Sequence, residues 1–403
     1  MPEKQIVSKS KMISLADAIR LRTGTVDSIT IDEMIDLVTT ITGVTTIEYE
    51  DETLAIEGIL NGESLEVSEG ETVDFKALIK NNKLPLNIIL PSSEPVDFSI
   101  QNLIELKNND ASRIFYQWNL ETIPTINTSK VTNMEYMFGY CTKLKTIPQL
   151  DTSQVTNMKN MFTECNYLQT IPELNTSKVT NMGSMFSGCA FLQAIPQLDT
   201  SKVTNMYSIF NSCATLKTIP ELDTSNVTDM WYMFYGCYNL EYIPLLNTSK
   251  VTRMGQMFQA CYKLTTIPQL DTSKVTDMDW MFKNCKALTT IPCLNTSNVT
   301  SMREMFYGCT QLITIPELDA SKVTNLGNIF KNCTSLKSIL MQGMQVSFDI
   351  SSSTQFERED LITILNNLAT ITTSQTLTMG ATNLAKLTGE DKLIANLKGW
   401  TLI

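Results

Sequence analysis

Residues Asn175 to Cys189 read N-T-S-K-V-T-N-M-G-S-M-F-S-G-C, and this phrase decides the fold because it returns. Its closing cysteine has counterparts at an unbroken spacing of 24: Cys141, Cys165, Cys213, Cys237, Cys261, Cys285, Cys309 and Cys333. From Leu120 to about Leu340 the units follow L-x-T-I-P-x-L-(D/N)-T-S-x-V-T-x-M-x-x-M-F-x-x-C-x-x. A fixed period of this length marks supersecondary units stacked in a line, each touching only its neighbours. One unit cannot bury enough apolar surface to offset the entropy of ordering its own chain, so neighbours are obligatory. Solenoids more often offer surfaces than pockets, and the functional question moves accordingly.

In the unit that opens at Leu144, the apolar positions are Leu144, Ile147, Leu150, Val155, Met158, Met161, Phe162 and Cys165. From Val155 onward they form one stripe of a helix, with Thr156 placed to cap its first turn. The Thr-Ile-Pro step is β-prone, and Pro148 confines it to a strand end because proline has no N–H for a ladder. The pattern predicts an α/β solenoid of nine 24-residue strand-turn-helix units. Strands about 4.8 Å apart on one side and helices about 10 Å apart on the other would bend the stack.

Around the stack the sequence divides into a helical segment at 1–45, an acidic β-rich region at 46–100, the solenoid at 101–343 and a C-terminal α+β cap at 344–403. A helix should end at Gly24, and Thr30 with Glu33 should cap the next. Residues 101–119, with Ile114 and Trp118, read as a degenerate first unit. In the cap, Thr354 with Glu357 suggests a capping box, and Thr388 should open the last helix.

Several tempting motifs dissolve in a stack. Comb cysteines lie one unit apart near a helix end, too far for disulfides, so they read as small buried hydrophobes. Cys293 follows Pro292 outside the comb and is the expected exposed thiol. Asn127, Asn175, Asn247 and Asn295 each begin an N-T-S sequon, yet Asp151, Asp199, Asp223, Asp271 and Asp319 stand at the same phase. A position that accepts either residue wants a side-chain oxygen for a turn.

The net charge of -11 resides in residues 1–110, and the rest of the chain balances. Without a basic field, nucleic acid is not an expected partner. Between Glu48 and Asp74 no lysine or arginine occurs, which suits a solvated face or a cation site. The chain has no histidine, which removes imidazole-based acid–base, nucleophilic and zinc chemistry. No GxSxG, P-loop or GxGxxG occurs, so neither enzyme activity nor a cofactor, metal or catalytic residue is expected. No apolar run is long enough to cross a bilayer, and the N-terminus lacks the pattern of a secretory signal, so no membrane insertion and no export by the usual route are expected.

The phrase N-T-S-K-V-T-N-M-x-x-M-F-x-x-C resembles BspA-type leucine-rich repeats of bacterial surface proteins. That resemblance implies a leucine-rich-repeat-like solenoid and, in many members, adhesion or protein binding. The ends are similar to other proteins. Lys11–Ala18 continuing to Asp27–Met34, and Leu377–Leu387 with Lys398–Leu402, resemble segments of tail and minor structural proteins of phages of Gram-positive bacteria.

Variation among units points to the binding surface. On the strand side Thr122, Thr146, Thr170, Thr218, Thr266, Thr290 and Thr314 are monotonous, while the opposite side carries Tyr207, Trp231, Tyr232, Tyr235, Tyr238, Tyr262 and Trp280, with Tyr307 near. These rings suit a sugar or protein partner, or else fill grooves between diverging helices. Alanine at Trp231 and Tyr235 is expected to weaken attachment while leaving thermal stability nearly unchanged. The leading reading is a phage tail or baseplate fibre-like protein that attaches to a host-surface glycan or protein. It would be docked to other virion proteins through residues 1–100, with self-association into a homo-oligomer a further expectation. A bacterial BspA-like surface adhesin and a purely structural virion spacer are the alternatives.

Overall fold

The computed structural model describes residues 109–403, except 119–120 and 124–127, together with the backbone of four short strands nearer the N-terminus. Those strands pair in parallel, β1 (Gln5–Ile6) with β2 (Ile47–Glu48) and β3 (Ser64–Glu66) with β4 (Asn87–Ile89). The helices expected in 1–45, and the cation site considered between Glu48 and Asp74, lie outside the described residues.

A single column of phenylalanines runs through the repeats. From Phe115 to Phe330 the rings of successive units stack face to face, with centroids 5.4–6.0 Å apart. The unit's Leu, Ile, Val, Met and Cys positions surround this column and are buried almost throughout. Residues 109–118 join the same stack, with Asp110 bridged to Asn133 and Phe115 on Phe138.

The expected helix in each unit is replaced by a ribbon of turns. Among the described residues no α-helix precedes Arg358. In the unit of Cys165 the N–H groups of Met158, Asn160, Phe162 and Glu164 donate to carbonyls of the next unit, at Asn181, Gly183, Met185 and Ser187. The alternate N–H groups, of Met161, Thr163 and Cys165, donate three residues back to Met158, Asn160 and Phe162. Every N–H from Met158 to Cys165 finds a partner this way, half of them in the neighbouring unit. Two residues per unit take the left-handed conformation, Asn160 and Glu164 here, at φ 56° and 57°. Glycine fills the second of these places at Gly188, Gly236 and Gly308, where a side chain would be strained. Apolar residues three or four apart therefore share a face by turn geometry. Thr156 caps nothing; its N–H and hydroxyl both reach the Thr132 carbonyl, at 2.8 and 3.2 Å.

The strand is also smaller than expected, and proline is the reason. Over most units a single backbone bond crosses this side, as from Gln169 N–H to Lys145 O at 3.1 Å. The next donor would be Pro148, Pro172, Pro196, Pro220, Pro244, Pro268, Pro292 or Pro316, none of which has an N–H. Leu340 stands at that place in the last unit, and its N–H reaches Ile315 O at 3.0 Å. There alone among the described repeats a parallel pair forms, β5 (Thr314–Ile315) with β6 (Ser338–Ile339). Elsewhere Gln149, Gln197 and Gln269 bridge the gap with side-chain amides donated to the carbonyls of Glu173, Glu221 and Cys293. With strand-like spacing on the ribbon side as well, the wedge that helices would impose does not arise.

The C-terminal part contains β7 (Phe348–Asp349), α1 (Arg358–Asn367), β8 (Gln375–Thr378), α2 (Gly380–Leu384), α3 (Gly389–Leu397) and β9 (Trp400–Leu402). The strands form one parallel sheet in the order β7-β8-β9. Phe348 meets Phe330 edge-on at 6.5 Å and Trp400 stands against Phe348 at 5.9 Å, so the aromatic column ends on crossed rings. Thr388 opens α3, accepting from the Asp391 N–H at 3.1 Å. The first cap differs from expectation: Glu357, not Thr354, precedes α1 and its N–H bonds the Asp360 carboxylate. Arg358 grips Asp391 with two bonds of 2.9 and 2.7 Å, tying α1 to the start of α3.

Candidate partner-binding surface

The comb cysteines offer no chemistry. All nine are buried and unbridged, and each thiol donates to the phenylalanine carbonyl of the preceding unit at 2.8–3.2 Å. Burial pushes the thiols from Cys165 to Cys333 well above the ordinary range, Cys333 to about 12. Cys293 is the exposed exception, its Sγ 3.1 Å from the Glu317 carbonyl. The Asp/Asn phase also behaves as a turn position: Asp151, Asn175, Asp199, Asp223, Asn247, Asp271, Asn295 and Asp319 each accept the N–H two residues on.

On the ribbon an Asn/Asp row opens most units, with Arg253 and Ser301 as the exceptions, and repeats the device. Asn133, Asn157, Asn181, Asn205, Asp229, Asp277 and Asn325 accept the second N–H onward. At Ser301 the short side chain does not serve. Asp279 of the previous unit reaches over instead, accepting from Ser301 Oγ at 2.5 Å and Arg303 N–H at 2.7 Å. Burial pushes the Asp279 carboxyl up, against these donors.

The seven sequence-selected aromatics fall into three groups. Tyr207, Trp231, Tyr232 and Tyr235 form one cluster, with ring centroids 5.4–6.1 Å apart around Tyr232. Trp231 is half-buried: the Arg253 guanidinium lies 4.5 Å above its ring, and the indole occupies the space where Gly255 lacks a side chain. Arg253 also bonds Asp229 at 2.8 Å, which fixes the sandwich. Trp280 sits apart under Arg303, at 5.1 Å. Tyr238 and Tyr262 make the third group, stacked at 5.0 Å and 8°, with Lys286 Nζ 4.7 Å over Tyr262. Thus Trp231, Tyr232, Tyr235 and Trp280 largely fill grooves, while Tyr207, Tyr238 and Tyr262 are exposed.

Sequence reasoning passed over a second exposed stack, Tyr167 on Phe191 at 5.1 Å. Both rings follow a comb cysteine by two residues, beside the phase of Tyr238 and Tyr262, so the spacing contained the signal. On the strand side Tyr242 interrupts the threonines and Leu245 interrupts the row of polar residues that follows each proline; they are 61% and 70% exposed. Among the described residues no cluster of Cys, Asp and Glu could hold a metal ion, and no helix is long and apolar enough to cross a membrane.

Comparison with known proteins finds the following likenesses. The chain is similar to a leucine-rich cell surface protein from Faecalibacterium prausnitzii A2-165, 22% identical over 56% of this chain and 88% of the other, with a TM-score of 0.28. A leucine-rich repeat protein from Bacteroides ovatus is 17% identical over 70% and 83%, with a TM-score of 0.29. An internalin from Listeria monocytogenes is 13% identical over 62% and 81%, with a TM-score of 0.22. No curated protein matches. The family described as "Mycoplasma protein of unknown function, DUF285" matches at 109–219, 164–267, 214–311, 238–344 and 289–359, tiling more than half of the sequence. The chain is a leucine-rich-repeat-like solenoid and belongs to the DUF285 family.

Proposed function

We propose that this protein is a non-enzymatic adhesion module carried on a bacterial cell surface, in which a regular stack displays side chains to a partner. The observation that carries this reading is the set of exposed ring stacks and ring–cation pairs on an otherwise repetitive stack whose interior is filled by packing. An adhesive surface needs rigid aromatic anchors more than a pocket, and rings locked by their neighbours lose little entropy on contact. The absence of histidine weighs against the commonest acid–base chemistries.

The second reading, a phage tail or baseplate fibre-like protein docked through residues 1–100, is favoured by the segments Lys11–Met34 and Leu377–Leu402 described above. The relatives named above include a cell surface protein and an internalin and no virion protein, so the cell surface is preferred as the carrier. An antibody raised against the solenoid tests this on intact producing cells and on purified virions. Labelling of cells supports the adhesin, and labelling of particles alone replaces it with the tail protein. Adhesion of the purified full chain to host or neighbouring cells tests binding itself; a chain that adheres to none is a spacer.

A further inference from the structure

The strand side of the solenoid changes character in one unit. Tyr242 stands where other units carry threonine or alanine, and Leu245 where they carry glutamine, glutamate or cysteine. Both side chains are exposed, and three residues of chain keep their Cα atoms within about 11 Å of each other. Pro244 lies between them and is buried, whereas the other seven prolines of its row, from Pro148 to Pro316, are half-buried. The Tyr-Ile-Pro-Leu step therefore raises an apolar ridge on a largely polar face.

Leu245 also walls an open groove of about 550 Å³ that reaches the Asp/Asn turns of three successive units. Leu222 and Leu246 extend its apolar wall, and no lysine or arginine lines it. Its polar atoms are mostly acceptors. Gln149, Gln197 and Gln269 each bridge to the carbonyl one unit on, but Glu221 and Leu245 have no amide to offer there. The carbonyls of Leu245 and Gln269 therefore accept nothing among the described residues. At Asp223 the Ser225 N–H takes one carboxylate oxygen at 2.9 Å, and among the described residues no cation is bonded to that carboxylate. The lysines nearby are engaged or balanced. Lys250 is held by the Asn226 carbonyl oxygen at 2.7 Å, and Lys274 stands beside Asp271. Lys217 has Glu241 next to it, their backbones bonded at 3.0 Å, so that pair adds little net charge. Asp223 and the exposed Glu221 are left as the carboxylates without a counter-charge.

We propose that this ridge and groove are a docking site for a basic segment of a partner protein. A lysine or arginine of that segment lays its aliphatic stem on Leu245 with its charged head facing Asp223 and Glu221, and an apolar neighbour packs on Tyr242. This rests on the adhesion reading and gives it a contact on the strand side. Lysine and arginine carry only donors, at the end of a long apolar stem, which is the complement of an apolar wall beside unpaired acceptors. An exposed tyrosine next to a leucine supplies the kind of anchor that dominates protein interfaces. An acidic ligand would meet like charge and no basic residue in the lining. A sugar brings as many acceptors as donors, and in the groove its acceptors would find the Asn247 amide and the Thr248 hydroxyl. A strand added through its backbone would need N–H groups that the proline row does not have.

The test uses the full chain and four fluorescent peptides in a common Gly-Ser frame, with the cores Leu-Arg-Phe, Leu-Glu-Phe, Leu-Ser-Phe and Ser-Arg-Ser. Fluorescence anisotropy should show the Leu-Arg-Phe peptide bound most tightly, and added salt should weaken it. The variants return the unit to its own repeat. Tyr242→Thr and Leu245→Gln install residues that other units carry, and Asp223→Asn keeps the turn that Asn247 makes, so all three should fold. Tyr242→Thr and Leu245→Gln should each weaken the Leu-Arg-Phe peptide about fivefold, and Asp223→Asn about threefold with a smaller salt dependence. Thermal melting separates docking from packing: Leu245→Gln should melt no lower than wild type, because its amide can bridge to the Gln269 carbonyl as Gln149 does to Glu173. No binding of the Leu-Arg-Phe peptide overturns the proposal, as does equal binding of the Leu-Glu-Phe peptide or wild-type affinity in the three folded variants. A wild-type dimer in sedimentation that Leu245→Gln dissolves also overturns it, giving the site to a second copy. Undiminished adhesion to cells by the triple variant overturns this site alone; a wild-type chain that adheres to no cell removes the adhesion reading beneath it, whatever the peptides do.

Discussion

From Cys165 to Cys333 each comb cysteine combines two properties at one position. It is small enough to lie flat in a unit about one strand-spacing thick, and its S–H gives the preceding phenylalanine carbonyl a second donor beside that unit's own cysteine N–H. Serine would donate more strongly but would lose apolar burial, and alanine would leave the lone pair bare. Because burial disfavours the thiolate, these thiols should be inert in the native state. A thiol-reactive chromophore at pH 8 should therefore label about one thiol per native chain, Cys293, and all ten after denaturation. Rapid native labelling of several comb cysteines would contradict the packing. At Trp231 the structure changes the expectation drawn from sequence. Its indole bridges Gly255 and Arg253, so Trp231→Ala should lower stability by about 1–2 kcal/mol, whereas exposed Tyr238→Ala should stay within about 0.5 kcal/mol. Urea unfolding of the two variants measures the difference, and equal midpoints would remove Trp231 from the packing.

A solenoid unit must choose between a helix and a turn ribbon, and hydrogen bonding explains the outcome. A helix satisfies its donors internally and stands about 10 Å from the next. The ribbon sends alternate donors to the neighbouring unit, which keeps successive Phe rings at 5.4–6.0 Å. Asparagine, serine and glycine within the unit favour turns and left-handed residues over helix. On the opposite side, proline withholds the second ladder bond until Leu340. Leu340→Pro should accordingly delete the Leu340–Ile315 bond and the β5–β6 pair, at a cost of about 1–2 kcal/mol. Slower hydrogen exchange at residue 340 than at the strand side of earlier units would establish the wild-type bond; equal stability of the variant would show that the pair contributes nothing.

Across the whole molecule the small terms add because every unit repeats them. Five turn aspartates lie below the usual carboxylate range. At Asp199, Asp223, Asp271 and Asp319 the serine hydroxyl two residues on is the main cause and its N–H the second; at Asp151 the N–H leads. A carboxyl whose folded pKa is depressed contributes stability that is fully present above its unfolded pKa, about 3.9, and lost as pH falls through the lower folded value. Asp279, pushed up by burial, acts in the opposite sense and partly offsets the loss. The urea midpoint should therefore fall as pH is lowered from about 5 to below 3. Since Asn175, Asn247 and Asn295 make the same turn, replacing the five aspartates by asparagine should flatten this acid limb while leaving stability at pH 7 nearly unchanged. An undiminished acid limb in that variant would place the titration elsewhere.

The repeat and its period determined the stack, the buried face of each unit, the inert cysteines, the exposed Cys293, the turn role of the Asp/Asn phase and the start of α3 at Thr388. These follow from spacing and local chemistry, which a sequence carries in full. Three-to-four-residue apolar spacing did not distinguish a helix from consecutive turns, because both place such residues on one face. Only the lateral bonds between units select the ribbon, and those join residues 23 positions apart. The same holds for the surface. Composition marked aromatic rings, but their division into groove-fillers such as Trp231 and open faces such as Tyr238 depends on what the neighbouring unit places against them. Tertiary structure decided that, since a ring's second face belongs to the next turn of the stack.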